Sequence, residues 1–310
     1  YGQYTDLVES FGIDESWLDI TGSMHLFGGD GKTVADRLRQ RLREELGLTI
    51  SVGASFNKIF AKLGSDYKKP DATTVIPPDH WQEIVWPLPA GDLLGVGHST
   101  QTLLRQYGIE TIGQLAAFPR HALETLLGKH GAQLHDYANG RDSSPVRPQH
   151  ESEPVKSVGK GITFPRNLTR WEEVRAGLSM LCDSVAGRLR RQQLYCGGVA
   201  LTIRDPQFHQ FSHQVRLDAP THLQRDIYRA ALTLAQQSWH APSPIRALTV
   251  TALYLSDSAD SFQQLDLLDS AAPQRNDRQE RLEQAMDTIR RKYGKDAITF
   301  GNTGKLIDDE

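Results

Sequence analysis

The 310-residue sequence predicts a multidomain α+β protein. Three observations lead there. The length exceeds what a single hydrophobic core usually organises, so several small cores are expected. Strand and helix patterns alternate over residues 1–86 and give way over 87–140 to short helices punctuated by Gly and Pro. Beyond a polar, proline-bearing stretch at 141–155 that reads as an exposed linker, the order over 156–256 becomes β-α-β-β-α-β, the split βαβ arrangement.

In the first region, residues 13–20 interleave apolar side chains with Asp14, Glu15 and Asp19 and read as a hairpin around an acidic turn, followed by the turn signal Thr21-Gly22-Ser23. Val34, Leu38, Leu42 and Leu46 recur every four residues, which predicts an amphipathic helix over 31–46 capped by Gly47. Residues 48–54 are β-branched enough for a strand. Residues 55–67 form a second helix with Phe56, Ile59, Phe60 and Leu63 on one side. In the last region the pattern gives strands near 156–164, 198–204, 210–217 and 246–255, with helices over 169–193 and 221–239. The segment 257–310 carries one charged helix near 275–293 between polar, mobile ends.

Composition narrows the function classes. Charged residues make up 24% and no apolar run approaches a bilayer span, so a membrane protein is not expected. With no secretory leader pattern at its start, the sequence reads as cytoplasmic, and Cys182 and Cys196 read as reduced thiols. The net charge of -3 conceals a polarity. Residues 1–30 hold six acidic side chains and no Lys or Arg, whereas 156–246 hold thirteen Lys/Arg against six Asp/Glu. The first suits cations. The second suits a phosphate backbone, with Lys156, Lys160, Arg166, Arg188, Arg190, Arg191, Arg204 and Arg216 as the candidate contacts, although a solvated basic face would look the same.

Asp14 and Glu15 are adjacent carboxylates that repel each other unless a cation neutralises them. Hard oxygen ligands of this kind select Mg²⁺, and two such ions can activate an attacking hydroxyl and stabilise a leaving pyrophosphate. A solvated acidic turn is the plain alternative. Lys69, held just before Pro70, is placed to set an ammonium against a triphosphate, although a helix C-terminus favours Lys in any case. Leu93-Leu94-Gly95-Val96-Gly97 followed by a short helix reads as a helix-hairpin-helix whose backbone N–H groups can take a phosphate without reading a base.

The blocks GIDESWLDITGS (12–23), SVGASFNKIFAKLGSDYKKP (51–70) and LLGVGHSTQTLLRQYGIETIGQL (93–115) resemble, in order and spacing, those of the Y-family DNA polymerases that perform translesion synthesis. The resemblance implies a partial palm at 1–86, a thumb at 87–140 and a DNA-binding little finger at 156–256. It also implies roles: Asp14 on both catalytic metals, Glu15 on the metal that activates the primer hydroxyl, Lys69 on the incoming deoxynucleoside triphosphate, and Gly95, Val96 and Gly97 on a phosphate of primer-template DNA. Gln264-Leu265-Asp266-Leu267-Leu268 resembles the pentapeptide by which bacterial polymerases dock on the sliding clamp (beta subunit), with Gln on a groove rim and Leu in an apolar pocket.

One departure stands out. The family's first metal-binding aspartate, its steric-gate aromatic and its fingers domain have no counterpart here, so the sequence reads as a truncated form with no useful polymerase activity alone. A non-catalytic DNA-binding or clamp-tethering module is the second reading. A two-metal nuclease is a third, lacking the further Asp/Glu/His cluster it needs. Oligomeric state is left open by the sequence.

Overall fold

In a computed structural model, residues 1–148, 150–151, 154–257 and 277–299 are described, and the chain divides into two compact units, 1–152 and 153–310.

The first unit opens with β1 (Val8–Ser10) antiparallel to β2 (Ser16–Leu18), with Glu9 opposite Trp17. Helix α1 (Gly31–Leu46) starts at Asp30, whose carboxylate accepts the Thr33 N–H at 2.8 Å, and ends at Gly47 in the left-handed conformation (φ 68°). Strand β3 (Val52–Ser55), helix α2 (Lys58–Tyr67) and β4 (Thr73–Ile76) follow, β3 and β4 pairing in parallel. Asn57 caps α2 by accepting the Phe60 N–H at 2.8 Å. Both predicted elements here began too early: the strand starts at Val52 and the helix at Lys58. The partner strand β4 was not foreseen, because TTVI is too short to show alternation by itself.

Five short helices complete this unit: α3 (Trp81–Val85), α4 (His98–Gln106), α5 (Ile112–Ala117), α6 (Arg120–Leu127) and α7 (Lys129–Ala138). A single core joins Phe60, Leu63 and Ile76 of the preceding α2 and β4 to Val85, Leu93, Leu104, Ile112, Leu115, Leu123 and Leu134. The packing is therefore continuous across residue 86. A smaller cluster of Tyr4, Val34 and Leu38 lies under α1. The expected linker is tied down at Arg147, whose backbone and guanidinium N–H groups donate to Glu9 at 2.8 and 3.2 Å.

The second unit runs β5 (Val158–Leu168), α8 (Trp171–Arg191), β6 (Tyr195–Arg204), β7 (Gln210–Thr221), α9 (Gln224–Ser238) and β8 (Ile245–Ser256), in the predicted order. Its sheet order is β5-β8-β6-β7 with every neighbour antiparallel, so β8 enters between the parallel pair β5 and β6 and splits the βαβ unit. Val199, Leu201, Ile203, Leu248, Val250 and Ala252 face the core with Leu178, Val185, Ile227 and Leu234 of the two helices. Cys182 and Cys196 are free and buried there, and burial pushes the Cys196 thiol up to about 12.

Helix α10 (Asp277–Tyr293) follows, and it is docked on this unit through charge. Glu283, 2% exposed, pairs with the buried Arg190 and accepts the Gln224 N–H at 3.0 and 3.1 Å at the start of α9. Asp287 takes the other side of Arg190 at 2.6 Å, and Arg290 donates to Asp183 at 2.9 Å. Removing one partner of a buried pair strands the other. Glu283→Ala should therefore destabilise this unit by about 3 kcal/mol or more, read as a shifted urea midpoint, whereas Gln284→Ala on the exposed side should leave it unchanged.

Candidate functional site

The acidic side chains sit where the sequence placed them, on a hairpin turn. Residues 11–15 connect β1 to β2, closed by the Phe11 N–H on the Glu15 carbonyl at 2.8 Å, with Gly12 at φ 82° supplying the bend. The turn frees Asp14 and Glu15 from strand alternation. Asp14 is exposed and makes no ion pair among the described residues. Glu15 meets Lys62 of α2 at 3.2 Å. Lys62 also holds Asp66 at 2.5 Å, and Asp66 holds Lys69 at 2.7 Å. Burial works against the Lys62 ammonium, yet its bonds to Asp66 and Glu15 raise its pKa; Asp66, against the same penalty, is lowered by Lys62 and Lys69.

The base of the hairpin is fixed to α2 by a buried pair. Glu9 and Lys58 are each 10% exposed and lie 2.5 Å apart. Trp17 donates its indole N–H to the Lys58 carbonyl at 3.0 Å, and the Lys58 ammonium lies 5.1 Å from the ring centroid. Burial alone would raise the Glu9 carboxyl, but the bonds from Lys58 and Arg147 overcome it and hold its pKa at about 2.

Asp14, Glu15, Lys62, Ser65 and Lys69 open onto one cavity of about 730 Å³, whose apolar wall includes Val34, Leu38, Ile50 and Val52. Strands β2 and β3 also line it, and among the described residues each pairs on one side only. Among the described residues no group of three or more His, Cys, Asp or Glu is placed to hold a metal ion. The donor set here is two carboxylates. That suits a hard divalent cation which completes its shell with water and a bound phosphate, and it does not suit an all-protein cage.

In the helical part of the unit, Gly95 has φ 94° and its carbonyl is bonded to His130 Nε2 at 3.0 Å. Gly97 caps α4 in extended conformation with no side chain on the first-turn N–H groups, so these stay open. Val96 is 8% exposed, and its N–H and that of Gly97 donate to the Leu93 and Gly95 carbonyls at 3.0 and 3.2 Å, so the open donors here are those of the first turn of α4.

On the second unit, α8 and α9 cover one face of the sheet. The other is bare. Gly159 and Gly161 of β5 stand opposite Thr251 and Thr249 of β8, and a Cβ on either glycine would press on the threonine hydroxyl. Gly198, Ala200, Thr202 and Arg204 of β6 share this face with Gln210, Ser212, Gln214 and Arg216 of β7. Of the eight basic residues singled out from the sequence, Arg204 and Arg216 therefore lie on the bare face. Lys156 precedes β5 and is exposed. Lys160, register partner of Val250, is on the helix side, where Arg188 donates to the Gly159 carbonyl at 2.7 Å. Arg166 is paired with Glu173 at 2.6 Å. Arg191 lies beside Glu280 and Asp287 in a groove against α10. Arg190 is corrected outright: it is 6% exposed and spent on Glu283 and Asp287, so it is a core cation and no phosphate contact. A sequence count of positive charge cannot separate these cases, because the acids that consume Arg190 lie about ninety residues further on. Residues 264–268 lie outside the described residues.

Comparison with known proteins identifies the family. Residues 1–66 match the model of the impB/mucB/samB family, 91–142 that of the DNA polymerase-iota thumb domain, and 155–267 that of the impB/mucB/samB family C-terminal domain. DNA polymerase IV of Acetivibrio thermocellus is 41% identical over 301 residues, covering 97% of this chain and 74% of the relative. The chain belongs to the Y-family of DNA polymerases. DNA polymerase IV of Moorella thermoacetica (39% identical, 95% of this chain, 72% of the relative) and DNA polymerase IV 1 of Bacillus subtilis (34%, 98% and 72%) are similar in the same way. A solved Y-family DNA polymerase chimera matches the fold with a TM-score of 0.68 at 20% identity, over 83% of this chain and 73% of that one. The thumb-domain match falls on the α4–α7 helices, and the C-terminal-domain match on the second unit.

The depressed Glu9 pKa ties hairpin attachment to pH. A carboxyl lowered from 4.5 to about 2 contributes stability that is complete above the unfolded value and is lost as pH falls through about 2. Urea melts of the wild type at stepped pH should lose stability across that window, and Glu9→Gln should flatten the loss while lowering stability at pH 7.

Proposed function

We propose that this chain carries the metal- and triphosphate-binding side of template-directed nucleotidyl transfer in translesion DNA synthesis, together with the grip on primer-template DNA. The observation that carries this reading is the convergence of Asp14, Glu15 and Lys69 on one open cavity, linked through Lys62 and Asp66.

Asp14 and Glu15 are the residues that would hold Mg²⁺, which when bound supplies a Lewis acid for the primer hydroxyl and charge neutralisation for the leaving pyrophosphate. Asp14, free of any described ion pair, would contribute to both metal positions, and Glu15 would contribute to the one beside the primer end. Lys62 keeps Glu15 compensated when no cation is bound, so the adjacent carboxylates do not force the turn apart. Lys69 is 54% exposed on its side chain, and its surface pair with Asp66 is weak enough to exchange for a triphosphate oxygen. A compact ammonium fits that task, since it binds as a point charge and tolerates a moving ligand.

At the thumb hairpin Gly95-Val96-Gly97, a backbone phosphate would sit on the open first-turn N–H groups of α4 that follow Gly97, since the Val96 and Gly97 N–H groups already donate within the hairpin. The bare face of the little-finger sheet would lie along the duplex, with Arg204, Arg216 and the flanking Lys156 on phosphates, and with glycine and threonine keeping the surface low enough for the backbone to approach. Residues 264–268 would bind the sliding clamp, two leucines filling an apolar pocket and Gln264 bonding its rim. No helix among the described residues is long and apolar enough to cross a membrane, in keeping with a DNA-bound role.

Mn²⁺ is a paramagnetic substitute that reports the metal site without requiring turnover. With a deoxynucleoside triphosphate present, the chain should take up Mn²⁺ more tightly than the triphosphate alone does. Asp14→Asn should abolish that gain, and Lys69→Ala should weaken the triphosphate affinity on which it depends. Unchanged uptake by Asp14→Asn would sink the reading. Affinity for primer-template DNA should fall linearly with log salt and vary little with sequence, each phosphate-contacting cation contributing about 1 to the slope. Deleting residues 264–268 should remove clamp binding and leave DNA affinity intact.

A further inference from the structure

Tyr254 departs from the strand that carries it. It lies near the end of β8 with φ 53°, a left-handed conformation that a bulky L-residue rarely adopts inside a sheet. Its neighbours Leu253 and Leu255 keep register with Gly198 and Cys196 of β6, so the strand is locally turned at this one residue and not displaced.

The turn sends the ring onto the bare face of the sheet. Gly198 belongs to that face, since the next residue, Val199, points into the core. A Cβ on Gly198 would lie 2.8 Å from Tyr254 Cδ2 and 3.0 Å from its Cε2, so the ring rests directly on the glycine backbone. From β8 the side chain thus reaches across β6 to β7. There the Arg216 guanidinium carbon lies 4.3 Å from the ring centroid, and Gln214 Nε2 donates to the tyrosine hydroxyl at 3.2 Å. Arg216 is exposed and is itself the register partner of Gly198. One strained residue, one glycine and one hydrogen bond therefore converge on the placement of a single arginine.

Backbone strain at a folded position persists only where its surroundings over-determine it, and it collects at ligand-gripping sites. An arginine on a flat sheet would ordinarily sweep many rotamers. Stacked on an aromatic ring it keeps all five N–H donors at the rim of the guanidinium plane, available for a bidentate contact with phosphate. We propose that Tyr254 is a positioning residue for DNA binding: it holds Arg216 stacked and extended on the open sheet face so that the guanidinium meets a backbone phosphate at little entropic cost. The inference rests on the reading that this face lies along DNA.

The test uses the whole chain and a fluorescent primer-template duplex, with affinity measured by anisotropy from 50 to 300 mM KCl, roughly the range over which phosphate contacts dominate. Arg216→Gln should weaken binding about tenfold and lower the salt slope by about 1. Tyr254→Leu, which removes no charge, should weaken binding to a similar degree, and the double variant Arg216→Gln/Tyr254→Leu should bind no worse than Arg216→Gln alone. Tyr254→Phe, which keeps the ring, should bind within about twofold of the wild type. Arg216→Lys, a surface change that keeps the charge but loses the planar stack, should fall between the wild type and Arg216→Gln. This variant decides the matter should Tyr254→Leu fail to fold, which a thermal melt reports. Wild-type binding by Tyr254→Leu or by Arg216→Lys, alongside weakened Arg216→Gln, overturns the positioning role. So do additive losses in the double variant. Wild-type affinity and slope for Arg216→Gln would instead overturn the sheet-face reading beneath it.

Discussion

The buried pair between Glu9 and Lys58 is the interaction on which the candidate site depends. It joins the base of a hairpin whose strands are three residues each to the first turn of α2. An isolated two-stranded hairpin is marginal in water. With Trp17 donating to the Lys58 carbonyl and Arg147 closing over Glu9, this one is oriented so that its tip faces the side of α2 carrying Lys62 and Asp66. The catalytic candidates are exposed and contribute little to their own placement. Their geometry is set one layer below, by the Glu9 carboxylate and the groups that hold it.

The second unit solves a different problem with the same means. A four-stranded sheet covered on one face only must keep the other face wet without inviting aggregation. Here that face is built largely from Gly, Thr, Ser, Gln and Arg, with Ala200, Leu253 and Tyr254 among them. Charge is sorted by the fold in the process. Glu280, Glu283 and Asp287 of α10 are drawn onto His222, the start of α9 and Arg190, while Arg204 and Arg216 stay on the bare side. These three α10 carboxylates are therefore engaged away from the Arg204 and Arg216 side of the sheet.

Much of the architecture was legible because it rests on local rules. Asp30 and Gly47 bracket α1 through capping and a positive φ, and both effects involve only residues within one turn. The β-α-β-β-α-β order was readable from the change between periods of two and 3.6. The acidic hairpin was readable because adjacent carboxylates in an apolar context need a turn and a cation. What escaped was non-local. Strand β4 exists because β3 offers it an edge, and the core continuous across residue 86 exists because Phe60 and Ile76 meet helices of the thumb. Arg190 read as a surface cation because nothing near it in sequence shows that Glu283 and Asp287 will enclose it.

By itself, then, the sequence determined the family and the order of elements, and it named candidates for metal, triphosphate and phosphate. These follow from residue type, spacing and short-range periodicity. Only the tertiary structure decided which charges remain on the surface, which face of the little-finger sheet is open, and how Tyr254 comes to lie over Arg216 from two strands away. Burial and pairing across the sheet are properties of the packed chain, and a one-dimensional pattern carries no record of the partner that a side chain will meet.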